Sequence, residues 1–374
     1  MSNVRASLKT AASYGLRVTG ADGLIAALTG TSRLPIIISY HRVVENFEES
    51  ARRSIASMLI SIRMFEQHLD WIGRDYQFVS LDEIGSRLEA GTVSTRPTAA
   101  IAFDDGYSDV YHNAFPLLVK KGIPASVFVV TGLVGTRQMQ IHDKLYLLLK
   151  SAFSGARQSS RQVVELLQNA DAVPHKMEAI GRLRPDAFLV TRALLDNVPQ
   201  TQVDRMMQVL EARFGLGDGC NDGFRSLSWE MLEKMRSAGM TIGSHTRSHA
   251  LLTNESRETM IEETTRSRRD LADRLRMNVQ HFAYPDGRHN AEAASVVAAA
   301  GYSFAYGTCR QRDRKYPLMT IPRKVLWEKA SVDAGGHFAS AMMACQMNWV
   351  FDLGSRCGHD HGQRTSFRVE GRTL

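Results

Sequence analysis

The sequence predicts an α/β protein organised around a parallel sheet or barrel, and three features lead to that class. From Pro35 onward, short apolar runs alternate with amphipathic segments, the signature of repeated strand-helix units. Potentially reactive side chains fall just past the ends of these runs, at Asp104, Asp105, His245 and His41. One long stretch, 134–225, abandons the alternation for helical periodicity alone.

The elements follow in order. PIIIS, Pro35 to Ser39, reads as a buried strand, and Phe65 to Ile72 as a helix. Phe78 to Ser80 reads as a strand entering a helix, where Ser80 and Glu83 have capping-box spacing. AAIAF, Ala99 to Phe103, is the next strand, followed by a helix from Val110 to Lys121 that stops at Gly122. Ala125 to Thr131, rich in Val and Phe, is the most strand-like run in the chain. Ser228 is placed to cap a helix ending at Gly239, before a short strand at Thr241 to Ser244. A charged helix over Glu255 to Arg276, a strand over Val279 to Tyr284 and a small-residue helix over Ala291 to Ala300 complete the alternation. Between the two halves, DKLYLLLKSAF, RQVVELLQNA and VDRMMQVLEARF read as an insertion of helices, either added core or a substrate-selecting surface. Residues 331–374 have weak periodicity and a polar end, so they are expected to form a partly disordered tail.

Composition bounds the partners. With 44% hydrophobic and 23% charged residues over 374 positions, the chain is ordinary globular protein, and its net charge of +7 favours anionic partners. Phosphorylated or lipid-linked glycans and anionic membrane surfaces meet that requirement. Nucleic acid does too, but no nucleic-acid module or interleaved aromatic pattern is present, so none is expected as a partner. Cys220, Cys309, Cys345 and Cys357 lack zinc-ribbon spacing and form no evident disulfide framework, which suits a reducing compartment. The first 33 residues lack the continuous apolar core of a signal peptide, and a cytoplasmic location is expected. This leader carries Arg5, Lys9 and Arg17 with no acid before Asp22. It reads as a helix packed on the domain or lying on a membrane surface.

The chemistry concentrates in two motifs. IAFDDGY sets Asp104 and Asp105 where a strand gives way to the Gly106 turn, and adjacent carboxylates there repel unless a cation or hydrogen bonds offset the repulsion. IGSHTRSH sets His245 and His249 just past another strand, at a spacing within reach of one ion. Alone, either motif has an ordinary structural explanation as a capped turn or solvated histidines. Together they supply one carboxylate and two imidazoles, leaving metal positions open to water and substrate, with a second carboxylate spare to accept a proton. HFAYPDGR adds a turn at Pro285 to Gly287, and SYHRV places His41 directly after the first strand.

These residues resemble the motifs of the polysaccharide deacetylases of carbohydrate esterase family 4, the NodB-homology group. FDDGY, Phe103 to Tyr107, resembles the first motif, SHTRSH, Ser244 to His249, the second, and FAYPDG, Phe282 to Gly287, a variant of the third. YHRV, Tyr40 to Val43, together with FEQHLDWI, is similar to the N-terminal part of the exopolysaccharide-type members, in which that histidine sits at the active site. The likeness spans roughly Leu34 to Lys324 and implies a distorted (β/α) barrel with fewer than eight units, occupying 34–330 with the insertion at 134–225. It implies Asp104 as general base and Asp105, His245 and His249 as ligands of one divalent ion, zinc by default, with cobalt, nickel or iron also compatible. His41 becomes the candidate acid, and Tyr107, Tyr284, Pro285, Asp286 and Gly287 the candidate substrate contacts. The implied activity is removal of N-acetyl or other N-acyl groups from an amino-sugar polysaccharide or a lipid-linked amino sugar, with peripheral membrane contact allowed. The rival readings are a glycan-binding protein that keeps the metal without turnover, and a deacylase of a non-glycan amide.

Two departures stand out. The third motif of many members carries an arginine that orients the catalytic aspartate, and here His281 precedes Phe282. A late Leu-x-His segment supplies an acid in the family, whereas LMTIPRKVLW contains no histidine.

Overall fold

The computed structural model describes residues 2–28, 35–92, 94, 96–155, 158–174, 177–216 and 223–353. Its eleven strands are β1 (Ile36–Tyr40), β2 (Arg42–Val44), β3 (Leu59–Ser61), β4 (Gln77–Phe78), β5 (Thr98–Phe103), β6 (Ala125–Val129), β7 (Thr241–Ser244), β8 (His281–Ala283), β9 (Phe304–Gly307), β10 (Ile321–Pro322) and β11 (Lys324–Val325). The main sheet runs β10-β9-β8-β7-β6-β5-β1-β11, with β4 beside β5, and all its pairings are parallel. Parallel strands covered by helices are buried on both faces, which explains why β1, β5 and β6 are apolar or small throughout and entirely buried.

The two ends of this sheet belong to one short segment. β10 pairs with β9 at one edge and β11 with β1 at the other, and only Arg323 separates them. The backbone N–H of Arg323 donates to Gly307 and that of Leu326 to Ser39, so the segment stitches the seam and nearly closes the sheet into a barrel. Six strands and this divided closing segment form the wall, fewer staves than the eight of a full (β/α) barrel.

Local chemistry accounts for the surrounding helices. Ser61 caps the helix Ile62–Asp75, whose buried Phe65, His68, Leu69 and Ile72 recur at helical spacing against the sheet. Ser80 caps Leu81–Ala90 by accepting from the Glu83 N–H, but the Glu83 carboxylate pairs with Arg87 instead of returning to the cap, so only half of the capping box forms. The helix expected from Val110 opens as a π-turn, Val110–Ala114, before the α-helix Phe115–Lys121. Pro116 has no N–H to give to the i−4 carbonyl, and the wider turn absorbs that loss.

Between β6 and β7, the helices Ile141–Ser154, Ser160–Asn169, Glu178–Gly181, Ala187–Leu195 and Gln200–Phe214 gather around an apolar cluster of their own that includes Leu148, Leu167, Leu194 and Met206. The C-terminal segment departs from the expected tail. Ser340–Met347 is a helix buried on every side and packed against Ser2–Thr19; burial all round removes the periodic polar face by which such a helix is recognised. The final stretch expected to be disordered lies outside the described residues. No described helix is long and apolar enough to cross a membrane.

Candidate active site

The C-terminal ends of β5 and β7 bring Asp105, His245 and His249 together. The Nε2 atoms of His245 and His249 lie 3.4 and 3.3 Å from the same oxygen of Asp105, Oδ1. Among the described residues neither Asp105 oxygen finds a well-formed hydrogen bond, although both are buried. His245 Nδ1 sits 2.8 Å from the Ala283 carbonyl, an acceptor only, so its proton is on Nδ1 and its Nε2 lone pair faces the carboxylate. Two lone pairs facing one another in a buried space call for a cation between them. The donor set of one carboxylate and two imidazoles therefore fits a divalent metal.

The backbone records the cost of this arrangement. Asp105 at φ 68° and His249 at φ 65° occupy the left-handed region, as do Thr246 and Asp286 nearby. Non-glycine residues enter that region at a cost of order 1 kcal/mol or more, and such strain gathers where side-chain direction matters more than stability. Gly106, at φ 72°, continues the turn, and a Cβ there would lie 2.8 Å from Val129 Cγ1. The DDG sequence is thus a device for turning two carboxylates into the barrel mouth.

Asp104 is bonded differently. Its Oδ1 accepts from Arg323 Nη1 at 2.7 Å and its Oδ2 from Ser39 Oγ at 3.1 Å. Arg323 also reaches Ser39 Oγ at 3.3 Å and is almost wholly buried. Burial raises the Asp104 pKa, yet Arg323 and the neighbouring His245 and His41 outweigh it, and the carboxyl lies below its ordinary value. The two adjacent aspartates thus have separate environments: Asp104 is held by fixed donors, while Asp105 faces the imidazoles of His245 and His249. His41, between β1 and β2, lines the same cavity of about 440 Å³ as Asp104, Asp105, His245 and His249, and its buried Nδ1 has no hydrogen-bond partner among the described residues.

Residues 92–173 and 187–305, more than half of the chain, match the model of the polysaccharide deacetylase family. The chain belongs to that family. It is 33% identical over 118 residues to poly-beta-1,6-N-acetyl-D-glucosamine N-deacetylase of Staphylococcus aureus, a match covering 29% of this chain and 40% of that relative. The chain therefore spans less than half the length of this curated relative. Among solved structures, Streptococcus pyogenes deacetylase PplD in complex with acetate aligns with TM-score 0.51 at 19% identity over 81% of this chain and 96% of the other. IcaB from Ammonifex degensii aligns with TM-score 0.51 at 19% identity over 84% and 97%. These likenesses establish a distorted (β/α) barrel.

Within this family member the third motif divides. Asp286 and Gly287 line the cavity, and Gly287 is required because its φ is 65° and a Cβ would meet Thr308 at 2.4 Å. Tyr284 and Pro285 are buried, with the Tyr284 ring packed on Phe282 and His289, so they support the turn and do not line the cleft. Tyr107 is likewise buried; its hydroxyl meets His142 and Asp143 from the helical insertion. An aromatic side chain just past an apolar strand finds more area to bury inside the barrel than at its mouth.

Asp104 has an arginine partner from outside motif three. His281 lies 2.8 Å from Tyr306 Oη and 3.0 Å from Asp82, bonds that place it away from Asp104, while Arg323 reaches Asp104 from the closing segment. Nothing in the sequence marks Arg323 beyond its place in the IPRKVLW run, where the absence of a histidine draws the attention. His142 was equally hidden, in the first turn of an insertion helix with no motif around it. The insertion also supplies Phe188, Thr191 and Arg192 to the cavity, and Arg288 to Asp196 at 2.8 Å fastens it to the third-motif turn.

Proposed function

We propose that the protein is a metal-dependent N-deacetylase of an amino-sugar-containing glycan, either a polysaccharide or a lipid-linked sugar. The observation that carries this reading is the pairing of an Asp-His-His donor set with a neighbouring aspartate held ionised by Arg323. Asp105, His245 and His249 would hold one divalent ion, zinc by default, with cobalt, nickel or iron also suited to the donors. Such an ion, when bound, polarises an acyl carbonyl and acidifies water.

The protein's own groups supply the rest. Asp104, charged and fixed by Arg323 and Ser39, accepts the proton of the attacking water. His41, across the same cavity, gives a proton to the amine as the amide C–N bond breaks, releasing acetate and a free amino sugar. A protein that only binds glycan has no need of a base poised beside a metal site, which favours turnover over the binding reading. The name of the staphylococcal relative supports poly-N-acetylglucosamine as a substrate to test first.

Elemental analysis and acetate release test the proposal together. Wild-type protein should hold one equivalent of divalent metal and release acetate from β-1,6-linked N-acetylglucosamine oligomers or chitooligosaccharides, while the His245→Ala, His249→Ala double variant loses both. Full metal occupancy in the double variant would dismiss the site. Turnover confined to simple non-glycan amides would dismiss the substrate class.

A membrane-facing location is supported by one feature. Five of the eight exposed large hydrophobic residues among the described ones, Leu8, Tyr14, Val18, Leu24 and Leu28, lie in the first 28 residues. In Ser2–Thr19 the inward face carries Ser13, bonded to Met342, and the apolar Leu8, Tyr14 and Val18 face outward, the reverse of an ordinary surface helix. This helix contains basic residues and no acid, which suits the anionic headgroups of a cytoplasmic membrane face. Binding to phosphatidylglycerol vesicles but weakly to phosphatidylcholine vesicles, abolished by Leu8→Ser with Val18→Ser, is expected. Self-association of the wild type that the same changes abolish would assign the face to a second copy instead.

A further inference from the structure

The helical insertion reaches the proposed metal site itself. His142, in the first turn of Ile141–Ser154, places Nε2 3.7 Å from Asp105 Oδ2, whereas His245 and His249 approach Oδ1. Its ring centroid lies 5.0 Å from that of His249, and its side chain lines the same cavity. Three imidazoles therefore surround Asp105, two from the second family motif and one from a region outside every motif.

His142 is itself held in place. The Tyr107 hydroxyl donates to Asp143 Oδ2 at 2.5 Å, which leaves its oxygen free to accept from His142 Nε2–H at 2.8 Å. Arg42, whose guanidinium lies 4.8 Å from the centre of the Tyr107 ring, backs the tyrosine from the other side and pairs with Asp109 at 2.8 Å. Another contact joins the same elements: Gln140 Nε2 donates to the Asp105 backbone carbonyl at 2.7 Å. The segment from Gln140 to Asp143 thus holds the Asp105 backbone through Gln140 and sets the His142 ring, fixed by Tyr107, beside the Asp105 carboxylate.

We propose that this segment is a built-in outer support of the metal centre, with Gln140 fixing the Asp105 backbone and His142 as a positioning residue whose ring, locked by Tyr107, limits the movement of the Asp105 carboxylate. The proposal rests on the reading of Asp105, His245 and His249 as metal ligands. Groups of this kind orient the ligand that touches the metal, and their loss commonly weakens metal binding about 10- to 100-fold. On this view the insertion is part of the metal centre as well as a wall of the cleft, and removing it would cost metal affinity along with substrate contact.

Metal affinity, measured by competition with a chromophoric chelator, tests it without reference to turnover. The probe is Zn(II), with the visible spectrum of the Co(II)-loaded protein as a second readout. His142→Ala is expected to bind Zn(II) about 10- to 100-fold more weakly and to shift the Co(II) bands. His142→Gln keeps an N–H donor that can reach the Tyr107 hydroxyl and so stay locked beside Asp105, and it should remain within about threefold of wild type, which separates positioning from mere filling of space. Wild-type affinity and spectrum in His142→Ala would overturn the proposal. So would a Gln variant no better than Ala, because the loss would then be one of packing. If wild-type protein binds no metal, or His245→Ala binds as well as wild type, the ligand assignment fails instead.

Discussion

Arg323 donates to Asp104 at 2.7 Å across the seam of the barrel, from the one residue that separates the strand paired with β9 from the strand paired with β1. The closing segment therefore does two jobs: its flanking backbone completes the wall, and its middle side chain sets the charge state of the proposed base. Replacing Arg323 with Gln leaves Asp104 buried without its cation, so the carboxyl pKa rises. A base acts only when ionised, and the acid limb of the kcat/KM profile should move to higher pH, with a larger loss of activity at pH 5 than at pH 8. Breaking a buried pair by removing one partner also costs about 3–5 kcal/mol of stability. A pH-rate profile that keeps its wild-type acid limb in the folded variant would refute this control of Asp104.

Asp104→Asn separates the roles of the two aspartates. The amide keeps the size of the side chain and leaves Asp105, His245 and His249 untouched, so metal content should remain at the wild-type level. Deacetylation should fall by about a hundredfold or more, the scale for losing a general base. Near-normal turnover by metal-loaded Asp104→Asn protein would remove Asp104 from proton transfer.

The legible part of this site is the part written at strand ends. Asp104, Asp105, His245 and His41 each follow an apolar run, and a parallel barrel brings such positions to one rim whatever their distance in sequence. What stayed hidden has no local pattern. Arg323 sits between two-residue strands, too short for any periodicity, and its contact with Asp104 exists only because the barrel closes there. His142 lies on a helix whose apolar residues announce the insertion's own core, so its turn toward Asp105 is a property of docking. The Ser340–Met347 helix was missed for the opposite reason: being buried throughout, it has no polar face to show.

His41 is expected to protonate the leaving amine. His41→Ala should lower kcat strongly on an N-acetyl substrate, and His41→Asn should not restore it, because an amide side chain bonds but delivers no proton. An activated ester substrate, whose leaving group departs without protonation, should be far less affected by either change. Equal losses on amide and ester would leave His41 with a positioning role only.

Away from the proposed metal site, His68 offers a test of how burial couples to pH. Its ring is wholly buried between Tyr40 Oη, 3.0 Å from Nδ1, and Ser331 Oγ, 2.6 Å from Nε2. Tyr40 O–H can donate to Nδ1 and Nε2–H to Ser331, a set that the neutral ring satisfies and a second proton would break. Burial accordingly pushes its pKa down to about 3, while an unfolded chain titrates this group near 6.5. Above that unfolded value His68 is neutral in both states and stability does not depend on its proton. As pH falls below about 6.5, the unfolded chain takes a proton that the folded one refuses, and stability is lost until pH approaches the folded value. One such group contributes a slope of about 1.4 kcal/mol per pH unit across that window. Gln at this position can accept from Tyr40 and donate to Ser331 without titrating, so His68→Gln should flatten the dependence of unfolding free energy between pH 6 and pH 4 by about one proton. Urea unfolding of metal-free protein at several pH values measures both slopes; identical slopes in wild type and variant would show that His68 does not carry this part of the acid sensitivity.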